Sequence, residues 1–278
     1  MTDYRAAIQA HYRELRAKKR RIADLVLENP MQVISSSIQT LASVCGCDQT
    51  TIVRFAQQLG FSGYTDLKIA IARQTDSVWA DFTDGGGENG GGILEKLSQR
   101  HIRTIRNTLA ALDEEQLRQV GDRLARSGRV FSFGAGSSQL AAMDLHIKLL
   151  RLGIQSNCFQ DAELTKTFAG YAGKNGMLFL FSHSGETESV VELAKLARRE
   201  RIPVTAITSF PESTLAGEAD HLLTTACRNE PPIRFGVMGV RIAQMAVVDA
   251  LTLLYSLRDK QRSWEYILKS YHENDDGN

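Results

Sequence analysis

The chain has no uninterrupted apolar run near the ~18 residues that a membrane span needs. Its N-terminus, "MTDYRAAIQAHYRELRAKKRR", has no apolar segment behind the basic residues, so no secretory signal is expected and a cytoplasmic location is. Cysteine is scarce. Cys45, Cys47, Cys158 and Cys227 form no second pair and no histidine cluster at zinc-ligand spacing, which disfavours a metal centre and leaves reduced, partly buried thiols as the expectation.

Phosphate-loop lysine is missing too. Residues 181–190 read "FSHSGETESV" after the apolar run "GMLFLF", a hydroxyl-rich turn without the lysine that reaches terminal phosphates in a Walker loop. The "SHSG" within it is no hydrolase nucleophile elbow, because Ser182 stands where that motif needs glycine. A dinucleotide fingerprint is likewise incomplete. Gly134 and Gly136 open it, but Gln139 occupies the third glycine position, so NAD binding is disfavoured and no cofactor is expected.

What is present is an ordinary soluble composition, 43% hydrophobic and 23% charged over 278 residues, with room for two domains. Net charge is +1, split between about +3 for residues 1–78 and about −2 for the rest. The cluster "RAKKRR" at 16–21 supplies much of the excess; such a cluster is more often a solvated helix face than a nucleic-acid site, and alone it decides nothing. The stretch "DGGGENGGG" at 84–92 can neither hold a helix nor pack a core, which makes it a flexible linker. The expected division is 1–80, a linker over 81–93, and 94–278.

Everything before the linker has helical spacing. Residues 3–28 carry Ile8, Tyr12, Leu15, Ile22, Leu25 and Val26 at helical intervals, and Pro30 is expected to end that run. Two short helices fit 38–45 and 49–59, joined by "GCD". Gly46 suits a left-handed turn, and Asp48 suits the N-cap of the second helix. Ile52, Phe55 and Leu59 form its buried stripe. Gln49, Thr50, Thr51, Arg54, Gln57 and Gln58 form an outer face able to bond base edges and phosphates of double-stranded DNA. A plain helical bundle with a solvated polar face fits the same spacing. The lack of any acidic residue from 49 to 65 favours DNA, since a carboxylate there would repel phosphate.

After two helical runs over 93–127, short apolar runs alternate with helices. The runs lie at 129–134, 154–159, 176–182, 203–208 and 221–225, and a last apolar helix covers 237–257. Such alternation predicts a parallel sheet with helices on both faces, and ligands in these sheets sit beyond the carboxyl ends of the strands. Two of those ends carry small and hydroxyl residues before a helix start, "FGAGSSQLAA" at 133–142 and "FSHSGETESV". Free N–H groups and the helix dipole would favour an anion there.

With both halves in view, the chain resembles the RpiR family of bacterial transcriptional regulators across nearly its whole length. The residues that carry the resemblance are "TTIVRFAQQLGFSGYTDLK" at 50–68, "GAGSSQLAAMDLHIKLLRLG" at 134–153, "FSHSGETESVVELAKLA" at 181–197 and the "RIAQ…VVDAL" helix at 241–251. The resemblance implies an all-α helix-turn-helix domain followed by an α/β SIS (sugar isomerase) domain, Rossmann-like, with a parallel sheet flanked by helices. It implies a regulator of sugar-metabolism genes whose grip on operator DNA answers to a phosphosugar. One short recognition helix offers few contacts, so a homodimer or homotetramer is expected, and a retained DNA-binding domain argues for sensing over catalysis. Carried over by position, Ser137, Ser138, Ser182, Ser184 and Thr187 would hold the phosphate and nearby hydroxyls. Gly185 would let the backbone approach, and Glu186 would face a sugar hydroxyl. The alternative is a SIS-type phosphosugar isomerase with an accessory helical domain, for which His183, Glu163, Glu186 and Lys166 are the candidate acid–base groups.

Overall fold

The computed structural model describes residues 3–74, 92–228 and 238–272, so the glycine-rich stretch lies outside the described residues except for Gly92. The described residues form two compact units, the first ending at Leu97 and the second beginning at Ser98.

The first unit is helical: α1 (Tyr4–His11), a 3-10 turn (Tyr12–Glu14), α2 (Ala17–Glu28), α3 (Pro30–Ser35), α4 (Ile38–Cys45), α5 (Gln49–Gln58) and α6 (Tyr64–Gln74). The single helical run expected over 3–28 is in fact two helices. Leu15 is extended (φ −70°, ψ 128°) and buried, and the break turns its side chain into the core beside Ile8, Ile22 and Val26. Pro30 does end α2, but it also opens α3 at a first-turn position, where a missing N–H costs nothing.

The helix-turn-helix forms where the spacing placed it. Gly46 is left-handed at φ 61° and ends α4, and Asp48 caps α5 by accepting the Thr51 N–H at 2.8 Å. Ile52, Phe55, Ala56 and Leu59 are buried against Leu41, Ala42 and the helices behind. At the far side of this core the Tyr64 hydroxyl donates to the carbonyls of Val33 and Ser36, and Lys68 donates to the latter as well. These bonds satisfy carbonyls at the end of α3 that helix termination leaves orphaned.

The second unit is α/β. Helices α7 (Ile93–Ala111) and α8 (Glu114–Ala125) lead into β1 (Arg129–Gly134), α9 (Ser138–Arg151), β2 (Ser156–Cys158), α10 (Ala162–Ala172) and β3 (Gly176–Phe181). Then follow α11 (Glu188–Glu200), β4 (Val204–Thr208), α12 (Thr214–Glu218), β5 (His221–Thr224), α13 (Met238–Arg258) and α14 (Lys260–His272). All five strands pair in parallel, in the order β2-β1-β3-β4-β5.

Strand β3 is central and buried throughout, as a continuous apolar run should be in a sheet covered on both faces. Its side chains alternate. Met177, Phe179 and Phe181 join one core with α8, α9 and α13, whereas Leu178 and Leu180 join another with α10, α11 and α12. Helix α13 is long and apolar enough to cross a membrane by length and composition, but Val247, Val248 and Leu251 are spent on the first of these cores. Two helices were not foreseen, α12 and α14. The first has only five residues, and the second is largely polar and docks through Tyr266 over Gly153.

Candidate anion and DNA sites

The chain leaves β1 for β2 on one side, then returns to β3 on β1's other side. The carboxyl ends of β1 and β3 therefore diverge at a topological switch point, the usual crevice for ligands in such sheets. Register puts Gly134 directly opposite Phe181, so the two hydroxyl-rich loops are neighbours.

The first loop is bent by glycine. A Cβ on Gly134 would lie 2.7 Å from the Ser138 carbonyl group, and Gly136 is left-handed at φ 61°. Gln139, at the position where a dinucleotide fingerprint needs glycine, is a latch. Its Oε1 accepts from the Gly134 N–H at 2.9 Å and its Nε2 donates to the Phe159 carbonyl at 2.9 Å, tying β1, β2 and α9 together. Ser137 is exposed, whereas Ser138 is buried beside α13, where it accepts a hydrogen bond from Gln244.

The second loop braces itself. Ser182 is buried; its Oγ accepts from the Gly185 N–H and shares a 3.0 Å hydrogen bond with the Thr187 hydroxyl. Ser184 Oγ accepts from the Glu186 N–H at 3.2 Å. Gly185 is left-handed at φ 67° and packs so tightly on Ser213 that a Cβ would fall 2.0 Å from its Oγ. The Gly185 carbonyl accepts from the Leu215 N–H, which anchors the loop to α12.

Of the residues expected to meet a sugar phosphate, Ser137, Ser138, Ser182, Ser184, Gly185 and Thr187 sit on these two adjoining loops. Glu186 is turned elsewhere: its carboxylate accepts from both the N–H and the hydroxyl of Thr214, so it caps α12. His183 bonds Ser209 through Nδ1 and lies edge-on to Phe210, a wedge between the ends of β3 and β4. Lys166 pairs with Glu163 and Glu192 on the outer face of α10 and α11, and those bonds hold its ammonium above the usual lysine range.

Helix ends sharpen the picture. Asp113, Asp161 and Ser213 each cap a helix of this unit through the side chain. Ser137 and Thr187, which stand before α9 and α11, make no such cap. At α9 the Ser138, Gln139 and Leu140 N–H groups donate to the carbonyls of Ala135, Gly136 and Ser137 at 3.2–3.3 Å, and at α11 the Val190 N–H donates to the Thr187 carbonyl at 3.0 Å. What both helix starts hold for another acceptor is thus a positive dipole end free of any capping side chain. A dianionic phosphate supplies one. Among the described residues no group of three His, Cys, Asp or Glu could hold a metal ion.

In the helical unit, Gln49, Thr50, Arg54 and Gln57 are exposed on α5. Thr51 and Gln58 are half-buried. The Thr51 hydroxyl donates to Asp48, and Gln58 Oε1 accepts from Lys19 Nζ at 2.6 Å. The Thr51 bonds, with Lys18 as a smaller contributor, hold the Asp48 carboxyl below its ordinary range, which keeps the cap ionised. Arg21 lies over the Gly46 turn, 3.5 Å from where a Cβ would be. The "RAKKRR" cluster is therefore the basic rim of the helix-turn-helix. The packing of α2 on α5 is what brings Lys19 and Arg21 there.

The family model for the rpiR-family helix-turn-helix domain matches residues 2–77, and the SIS-domain model matches residues 123–254. An HTH-type transcriptional regulator of Caldanaerobacter subterraneus is 31% identical over 91% of this chain and 90% of its own length. The HTH-type transcriptional regulator HexR of Pseudomonas aeruginosa is 28% identical over 90% of the chain and 88% of its own. Among solved structures, Vibrio vulnificus NanR complexed with ManNAc-6P has the same fold, with a TM-score of 0.79, 23% identity and 97% of each chain covered. A helix-turn-helix followed by a SIS sheet, shared end to end with these relatives, places the chain in the RpiR family of HTH-type transcriptional regulators.

Proposed function

We propose that this regulator seats a phosphosugar between the β1 and β3 loops and that the bound sugar sets its affinity for operator DNA at genes of sugar metabolism. The observation that carries the reading is the pair of helix starts at the switch point, both without a side-chain cap and both ringed by serine and threonine hydroxyls. NanR holding ManNAc-6P on the same fold supports it. In this reading Ser137, Ser138, Ser184 and Thr187 bond the phosphate and adjoining hydroxyls. Ser182 and Gly185 shape the loop, and Glu186 fixes it to α12. The helical domain is taken as 1–80, joined by the glycine-rich linker 81–93 to the sugar-binding domain 94–278, in a cytoplasmic protein.

Gln49, Thr50, Arg54 and Gln57 would reach base edges and phosphates in the major groove, with Lys18, Lys19 and Arg21 alongside on phosphates. One short helix gives few contacts, so two-fold pairing of copies on a palindromic site is part of the proposal. Ile147 and Leu150 on α9, Leu253 and Leu257 on α13, and Trp264 and Leu268 on α14 are all exposed on mutually packed helices, and they furnish an apolar face for a second copy. Sedimentation at micromolar concentration is expected to show a dimer or tetramer; monomer alone contradicts the pairing.

Sensing is favoured over turnover by the site's chemistry. An isomerase needs a base beside the substrate carbonyl. Glu186 is bound to Thr214, Glu163 to Lys166 and His183 to Ser209, while the Lys166 ammonium is held protonated. A variant carrying Ser137→Ala and Ser184→Ala together tests the assignment. It is expected to bind DNA as the parent does and to lose the response to sugar phosphates. A full response from the double variant would move the pocket elsewhere.

A further inference from the structure

Gln244 is a fully buried amide on α13 that reaches the anion loop. Its Nε2 donates to Ser138 Oγ at 3.1 Å, and its Oε1, also buried, finds no hydrogen-bond partner among the described residues. A buried acceptor left without its hydrogen bond is destabilising, so packing alone does not account for the residue. Methionine would fill the same straight space without the orphaned acceptor.

The chemistry of a hydroxyl gives Gln244 a task. Serine carries one hydrogen and two lone pairs. Ser138 is the first residue of α9, 5% exposed, at the uncapped helix start. With Gln244 donating into one lone pair, the hydroxyl hydrogen is left to be given away, at a helix start that adjoins the anion position proposed between the loops. We infer that Gln244 is a positioning residue for the phosphosugar site: it holds Ser138 as an acceptor from behind so that Ser138 serves as a donor in front. The inference rests on the phosphosugar reading above and deepens it.

Calorimetric titration of the full-length chain with ManNAc-6P and with glucose 6-phosphate tests this. Gln244→Met is expected to melt at or above the parent temperature and to bind about tenfold to a hundredfold more weakly, the loss expected for one hydrogen bond to a charged group. Gln244→Glu should bind more weakly still, because its carboxylate takes the Ser138 hydrogen for itself and adds a negative charge. The decisive readout is the double-mutant cycle. In a Ser138→Ala background, Gln244→Met should change nothing further, whereas a purely structural role would leave its effect intact. A parent that binds either sugar phosphate, with Gln244→Met binding it equally well, overturns the inference and spares the phosphosugar reading. A parent that binds neither of these, nor any other of a panel of hexose, pentose and amino-sugar phosphates, overturns both.

Discussion

Gly185→Ala is expected to abolish the phosphosugar response and to lower the melting temperature of the sheet unit, while DNA binding survives in the cold. Gly185 sits at φ 67°, where an L side chain costs roughly 1–2 kcal/mol. The new methyl would also fall 2.0 Å from Ser213 Oγ and 2.4 Å from Ser213 Cβ. A rotamer change of Ser213 relieves the first contact but not the second, so backbone must shift, and overpacking of that sort adds about 1–3 kcal/mol. The sum is about 2–5 kcal/mol, against roughly 5–15 kcal/mol holding a typical domain. The unit should therefore fold with a displaced loop. The displacement falls on the Ser182–Thr187 bond and on the Glu186 N–H bond to Ser184, and so moves the Ser184 and Thr187 hydroxyls that are assigned to the phosphate. Melting curves and sugar-phosphate titrations of the variant check this. A variant that melts with the parent and responds fully would remove Gly185 from the account.

Arg54→Ala is expected to weaken operator binding by about 1–3 kcal/mol, roughly fivefold to 150-fold, without altering the fold of the helical unit. Arg54 is exposed on α5, opposite the buried stripe of Ile52, Phe55 and Leu59, so its loss disturbs no core contact. No carboxylate lies between 49 and 65 to compete with a phosphate or a base for its guanidinium. Salt dependence separates its two possible contacts. If Arg54 bonds base edges, specificity at one position of the site relaxes and the salt slope stays the same. If it bonds a phosphate, affinity falls evenly across sequences and the slope drops by about one. Unchanged affinity in the titration would take Arg54 out of the interface.

The strands were legible because each is a short apolar run bounded by glycine, proline or polar turns. All five lie within two residues of their expected ends at 129–134, 154–159, 176–182, 203–208 and 221–225. The helix-turn-helix was legible through Gly46 and Asp48, whose roles are local: a left-handed turn and a cap three residues from its partner. What sequence could not show depends on distant partners. The break at Leu15 has no proline or glycine to mark it, and it arises because the core claims that side chain. Glu186 stands beside the serines in sequence, yet its carboxylate turns to Thr214, 28 residues away. Gln139 is a missing glycine in the sequence and a three-way latch in the fold. Gln244 is separated from Ser138 by 106 residues, and only the packing of α13 on α9 brings them together.

The central claim is that an anionic sugar at the β1–β3 switch point changes the hold of the helical domain on DNA. Such control requires the sugar to bind the DNA-competent and incompetent states with different affinity. Fluorescence anisotropy on DNA from upstream of the gene and its neighbours, titrated with and without a panel of hexose, pentose and amino-sugar phosphates, measures that difference directly. The account predicts tight, salt-sensitive DNA binding and a shift of about fivefold or more in affinity with one sugar phosphate, the range typical of allosteric coupling. Tight DNA binding that no sugar phosphate perturbs would contradict it.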